Sequence, residues 1–318
     1  MFTIARPAVA NIKNGITSHI FAFSALLLAT PLAAQAPARP LQVTTSFTIL
    51  ADLTRQVAKD RATVTSLVGP NSDAHVYRAT PADAKTVKEA GLIIVNGLGF
   101  EGFMPRLIKG SGTRALVVTA TDGVKTIEQA NDEKKHGHGH AHGKIDPHAW
   151  QSVEAVKIYV ANIRDGLIKA DPAGAEDYRK NAAAYLAELD TMKAEIDRQF
   201  GLIPPPRRVI VTSHDALAYF GRENLFTLEA VQGVSTENEP SAKDVARLIR
   251  ITKEKKARAV FVENMTNPKI AEQIARESGA KVGGTLFSDA LSDEKGAAPT
   301  YSAMMRHNAR MLVEALKE

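Results

Sequence analysis

The chain has 318 residues, enough for two lobes with separate cores, and is 44% hydrophobic but only 6% aromatic. It has no cysteine, which excludes a disulfide framework and a lipid-modified N-terminal cysteine. Its net charge of +5 is spread along the chain, with no Lys/Arg block interleaved with aromatics, so nucleic acid is not an expected partner.

Residues 1–36 read as a cleavable signal peptide. Arg6 and Lys13 are the only charges there, and an apolar run covers 20–34. Ala34-Gln35-Ala36 offers the small residues a signal peptidase needs. The apolar run is shorter than the roughly 20 residues of a membrane span, and no other segment is a candidate for one. Loss of Arg6 and Lys13 leaves 38 − 35 = +3. The mature chain is expected to be free in the periplasm.

From residue 41 short β-rich runs alternate with helical stretches. Residues 41–47 and 62–68 read as strands, with a helix over 49–58 between them. A loop carrying Asp73-Ala74-His75 follows, then a helix opening at Thr80-Pro81-Ala82-Asp83. There Thr80 is the N-cap, Pro81 the first helical residue and Asp83 the far half of a capping box. Strand 92–95, helix 100–108 and strand 115–119 come next, and a helix over 151–169 stops at Asp171-Pro172. Strands separated by helices predict a mostly parallel sheet with helices on both faces.

A linking helix is expected over 173–201. Tyr178, Ala182, Tyr185, Leu189, Met192, Ile196 and Phe200 recur at intervals of three and four, one stripe along a rod on the order of 40 Å long. Such a rod is a stiff strut between an N-terminal lobe (37–172) and a C-terminal lobe (202–318). The second block repeats the style of the first, with strands near 208–212, 226–231, 259–262 and 281–287. Helices begin near 216 and after Ser241, run over 268–278, and end the chain at 301–316. The predicted fold is therefore α/β: two lobes, each a mostly parallel sheet flanked by helices, joined by one long rigid helix.

Five of the nine histidines fall between Lys134 and Trp150. His136, His138, His140 and His142 alternate with Gly and Ala in a His-rich loop (134–145) whose composition cannot pack a core. Asp146-Pro147-His148 follows, and the proline stiffens it. A loose imidazole tract beside one fixed imidazole suggests metal gathered at one place and held at another. His75, His148, His214 and Asp289 each lie just past a strand or in the loop after it, where open α/β sheets bind ligands. Three imidazoles and a carboxylate suit tetrahedral Zn²⁺, whereas Mn²⁺ prefers more oxygen. Taken singly, each is as readily a surface or turn residue. A secreted zinc hydrolase, with the three imidazoles as ligands and Asp289 as base, is the alternative from a different class. Glu263 is a candidate to orient an imidazole; His19 and His307 carry no role, His307 being expected in solvent.

Asp73-Ala74-His75-Val76-Tyr77 with Thr80-Pro81, and Asp146-Pro147-His148-Ala149-Trp150, resemble the paired D-x-H signatures of metal-specific solute-binding proteins of ABC importers. Ser213-His214-Asp215-Ala216 with Tyr219-Phe220 resembles their third signature, and Ser288-Asp289-Ala290-Leu291-Ser292 their fourth. Glu239-Pro240-Ser241 and Phe261-Val262-Glu263 are similar to the connecting segments. The likeness spans 41–317 and is greatest to the zinc-specific, ZnuA/AztC-like members of cluster A-I, which carry a His-rich loop just before the second ligand.

The resemblance implies no enzymatic activity. It implies one Zn²⁺ held tightly in the inter-lobe cleft by His75, His148, His214 and Asp289, with weaker auxiliary sites on His136, His138, His140 and His142. The implied partners are an ABC permease in the inner membrane and a periplasmic zinc metallochaperone, with the protein acting as a monomer. Manganese-binding relatives usually have Glu at the third position and zinc-binding relatives His, as His214 here; a Mn or Fe carrier on the same scaffold is the nearer alternative. Two departures stand out. Asp-Ala-His replaces Asp-Pro-His in the first motif, which should loosen the His75 loop, and the disulfide many relatives carry in the second lobe is absent. Binding needs neutral imidazoles, so affinity is expected to fall as pH drops through the histidine pKa near 6.5.

Overall fold

The computed structural model describes residues 40–128 and 145–318. The expected leader over 1–36 and the imidazoles of His136, His138, His140 and His142 lie outside them. The first half runs β1 (Leu41–Thr45), α1 (Thr48–Ala58), β2 (Ala62–Ser66), α2 (Pro81–Glu89), β3 (Leu92–Val95), α3 (Met104–Ser111) and β4 (Leu116–Thr119). Helices α4 (Val153–Ala170) and α5 (Ala175–Phe200) follow. The second half runs β5 (Val209–Thr212), α6 (Ala218–Asn224), β6 (Thr227–Ala230), α7 (Ala242–Glu254), β7 (Ala259–Glu263), α8 (Pro268–Ser278), β8 (Lys281–Leu286) and α9 (Tyr301–Leu316).

Each half forms a four-stranded sheet, in the orders β2-β1-β3-β4 and β6-β5-β7-β8, and all pairings among these strands are parallel. Parallel pairing puts every strand's carboxyl end, and so every candidate ligand, on one edge of its sheet. The helix starts follow local chemistry. At α2 the Thr80 hydroxyl accepts the Asp83 N–H at 3.3 Å and Asp83 Oδ2 accepts the Thr80 N–H at 2.6 Å. Two amides that have no partner inside the helix are thereby satisfied. Among the described residues no helix is long and apolar enough to cross a membrane.

All seven stripe residues of α5, from Tyr178 to Phe200, are buried. The stripe packs on α1 and α4 of the first half and on α9 of the second. The expectation of two separate cores is therefore corrected. One continuous cluster runs from Val43 and Phe47 through Tyr159 and Leu189 to Phe261 and Leu312. Two smaller clusters flank it, one around Leu248 and Ile274 and one around Ile93 and Leu107. A helix serving both halves cannot bury its stripe in only one of them.

Three further departures from the sequence reading bear on the site. The helix expected over 100–108 begins only at Met104, because Gly97 (φ 87°), Leu98 (φ 55°) and Gly99 (φ 81°) adopt left-handed backbone. That loop is held by buried Glu101, whose Oε1 accepts from Ser46 Oγ at 2.5 Å and from the Asn96 N–H at 2.6 Å. Strand β8 carries a bulge: Val260 pairs with Val282 but Val262 with Thr285. A Cβ on Gly283 would meet the Phe261 ring at 2.5 Å, and Gly284 sits at φ 105°, so only glycines fit there. The bulge re-aims the segment leading to Asp289. Finally, His307 is not in solvent. Its Nε2 lies 2.9 Å from the Thr285 carbonyl and its ring packs edge-on against Phe287, 5.1 Å between centroids.

Candidate metal centre

Four connections past strand ends converge where the two sheets' carboxyl edges meet. His75 is in the loop after β2 and His148 in the connection after β4, while His214 and Asp289 follow closely on β5 and β8. Both Asp-x-His motifs use the same local device. Asp73 Oδ1 accepts the His75 N–H at 2.8 Å, and Asp146 Oδ1 accepts the His148 N–H at 2.9 Å. A short carboxylate reaching the amide two residues on folds the chain into an Asx turn, and the histidine is presented at its end. The first motif keeps this turn without a proline.

Each of the two deepest imidazoles has a carboxylate on its Nδ1. Asp146 Oδ1 lies 2.8 Å from His148 Nδ1, and Glu263 Oε2 lies 2.5 Å from His214 Nδ1. Glu263, the last residue of β7, also accepts the His214 N–H at 2.9 Å and the Ser213 hydroxyl at 2.8 Å. With Nδ1–H donated to a carboxylate, the free Nε2 lone pair of each ring is turned to the cleft.

There His75 Nε2 stands 3.4 Å from His148 Nε2 and 3.3 Å from Asp289 Oδ2. Asp289 Oδ2 is 3.3 Å from His214 Nε2, and Oδ1 is 3.7 Å from His148 Nε2. One donor atom from each of the four residues lies within 4.8 Å of the others. Donors about 2.0–2.1 Å from a tetrahedral ion stand roughly 3.3–3.4 Å apart, so most of these separations match the edges of such a polyhedron. The His75 side chain is 5% exposed, and those of His148, His214 and Asp289 are 0% exposed. His214 Nε2 and both Asp289 oxygens have no hydrogen-bond partner. A buried carboxylate in that state needs a cation.

The electrostatics say the same. Burial would raise the Asp289 pKa, but His148 and His214 outweigh it and hold the carboxyl well below its usual range. Burial would lower His148, yet Asp289 and the hydrogen bond to Asp146 push it up to about 9. His214 rises well above its ordinary value, burial being overcome by Glu263 and then Asp289. Without an ion, protons on the imidazoles balance the carboxylates.

Aromatic rings close the inner side. Phe47, Phe100 and Trp150 pack with centroids 4.7–4.9 Å apart, Phe100 lies 4.8 Å from the His75 ring and Trp150 lies 5.1 Å from that of His148. Trp150 Nε1 and Gln151 Nε2 donate to the Ser288 carbonyl at 2.8 and 2.6 Å, tying the second ligand segment to the fourth. Asn96 Nδ2 donates to the Pro147 carbonyl at 2.9 Å, and its Oδ1 accepts from the Tyr159 hydroxyl at 2.6 Å. On the outer side a cavity of about 780 Å³ opens, bordered by Phe100, Pro147, Asp215 and residues 228–235 and 237–240; of the four converging residues only His75 lines it.

The structure thus brings together all four residues singled out from the sequence. The auxiliary imidazoles His136, His138, His140 and His142 lie outside the described residues, whose flanks meet as an antiparallel bridge between Glu128 and Ile145. Glu263, a bare candidate from sequence, sits on His214. The roles of Asp73 and Asp146 as hydrogen-bond acceptors went unread, although the repeated two-residue spacing to histidine is a signal for them.

Known proteins resemble this chain along most of its length. A family model described as zinc-uptake complex component A, periplasmic (ZnuA), matches residues 43–315. The manganese-binding lipoprotein MntA of Halalkalibacterium halodurans is 34% identical over 278 residues, 87% of this chain and 89% of its own. The iron-binding protein YfeA of Yersinia pestis is 33% identical, over 90% of each chain. The solved structure of the periplasmic zinc-binding protein TroA from Treponema pallidum superposes with a TM-score of 0.78 at 30% identity, covering 87% of this chain and 99% of that one. The chain belongs to the ZnuA family of periplasmic metal-binding components of ABC importers, which are solute-binding proteins and not enzymes.

Proposed function

We propose that this protein captures Zn²⁺ in the periplasm and delivers it to an ABC permease in the inner membrane. The ion is cargo, and His75, His148, His214 and Asp289 are its ligands. The observation that carries the metal choice is the donor set. Three imidazole nitrogens and a carboxylate, with Asp289 Oδ2 3.3 Å from both His75 and His214 and the His75 and His148 nitrogens 3.4 Å apart, suit a small tetrahedral ion. Manganese favours octahedral, oxygen-rich surroundings, and the third position here is an imidazole. The relatives' names argue for keeping a second reading, a manganese or iron carrier, since they include binders of both. Four protein ligands leave no open position for an attacking water, in line with a carrier.

His136, His138, His140 and His142 are, on this proposal, weak and exchangeable contacts that raise the chance of capture. The leader over 1–36, a free periplasmic mature form, a monomeric state and a metallochaperone as donor also belong to the proposal. Support for the donor and for the monomer comes from resemblance alone.

The test is competition. The mature chain is dialysed against equal concentrations of Zn²⁺ and Mn²⁺, beside His214→Glu and a chain lacking 136–142, and bound metal is counted. The wild type should hold one tight Zn²⁺, His214→Glu should shift towards Mn²⁺, and the deletion should keep the tight site while taking metal up more slowly. A wild type that retains manganese would overturn the zinc reading.

A further inference from the structure

Residues 232–238 of the second lobe form a strap beside His75, and all of them except Thr236 line the cavity. The base of the strap is fastened on both sides of His214: the Gln232 N–H donates to the Ser213 carbonyl at 3.0 Å and the Asp215 N–H to the Gly233 carbonyl at 3.2 Å. Its tip crosses to the first lobe, where the Thr236 hydroxyl donates to Asp73 Oδ2 at 2.5 Å. The other oxygen of that carboxylate accepts the His75 N–H at 2.8 Å. One threonine hydroxyl thus links the backbone around the third imidazole to the turn that presents the first.

We propose that Thr236 is a positioning residue for His75: acting through Asp73, its hydroxyl holds the first imidazole against the ion and sets how fast the ion leaves. His75 is the ligand where exchange must start. Its side chain is 5% exposed against 0% for the other three, and it alone of the four lines the cavity. Departure of an ion begins where water or a competing donor can replace a ligand. The same loop has a second, separate anchor beside Asp289. The Asn71 N–H donates to the Leu291 carbonyl at 2.9 Å, and Asn264 Nδ2 donates to Asn71 Oδ1 at 3.0 Å. Removing the Thr236 hydroxyl therefore loosens the His75 end of the loop without freeing the whole of it.

This inference rests on the four residues being the metal ligands, and the experiment separates the two. Mature wild-type chain, Thr236→Val and Thr236→Ser are loaded with Zn²⁺, and its release into an excess of a chromophoric chelator is followed by stopped flow. Loss of one hydrogen bond to a charged group at a part-exposed position should speed release about fivefold to tenfold in Thr236→Val. Thr236→Ser, which keeps the hydroxyl, should stay within about twofold of wild type, and the circular dichroism of the metal-free protein should be the same in all three. Release at the wild-type rate from Thr236→Val, or equal acceleration in both variants, overturns the inference. A wild type that takes up no Zn²⁺ overturns instead the metal-centre reading on which it rests.

Discussion

The pH dependence of metal affinity tests the site's electrostatics most directly. Ordinary imidazoles would place the loss of affinity near pH 6.5. The structure moves it upward. In the ion-free cleft His148 is pushed up to about 9 and His214 stands well above 6.5, while Asp289 stays ionised. At pH 7 both imidazoles carry protons that a cation must displace. For His148 alone the two-unit gap between pH 7 and about 9 is worth about 3 kcal/mol, roughly a hundredfold in apparent affinity. With two protons released, affinity should climb by up to about two decades per pH unit above 6.5 and flatten only towards pH 9. Zn²⁺ affinity would be measured by chelator competition at several pH values from 6 to 9. Calorimetry in buffers of different ionisation enthalpy would count the protons. A plateau already reached at pH 7, or fewer than one proton released there, would refute the argument.

Two further outcomes follow from the same groups. Glu263→Gln keeps the side chain's size but leaves His214 Nδ1 beside a neutral amide; zinc affinity should fall 10- to 100-fold with little change in circular dichroism, and an unchanged affinity would remove Glu263 from the site. The metal-free protein should show its highest thermal midpoint between about pH 5 and 6.5, because the two kinds of group fail at opposite ends. The raised imidazoles stabilise the fold fully below 6.5 and cease to do so as pH rises, His148 through about 9 and His214 through its own raised value. The depressed Asp289 and Glu263 stabilise it above the usual carboxylate range and fail as pH falls through their lowered values. Differential scanning calorimetry of metal-free protein from pH 4 to 9 checks this, and a midpoint still rising from pH 7 to 9 would contradict it.

What could be read from the sequence was what local spacing encodes. The three-and-four stripe from Tyr178 to Phe200 foretold α5, because a helix repeats its face every 3.6 residues. Thr80, Pro81 and Asp83 marked a helix start through bonds spanning three residues. The four candidate ligands stood out because each lies just past a strand or in the loop that follows one. The rest depends on partners far apart in the chain. Glu263 reaches His214 across 49 residues and Thr236 reaches Asp73 across 163, and no local pattern announces either. The late start of α3 was hidden because residues 100–103 are helix-compatible; left-handed backbone at 97–99 diverts them to bring Phe100 over the imidazoles. His307 was misjudged because a polar residue on a terminal helix usually faces water, whereas here Thr285 and Phe287 receive it.

The unbroken interior beneath α5 sets a limit on how this carrier signals. Because Val43 and Leu312 belong to one packed cluster, the halves cannot swing apart without exposing the apolar side chains they share. Loaded and empty molecules must then offer a permease nearly the same silhouette. The difference a permease could sense is confined to the rim, in the short segments bearing residues 71–77 and 232–240, so occupancy would be reported by the posture of a few loops and not by the shape of the whole.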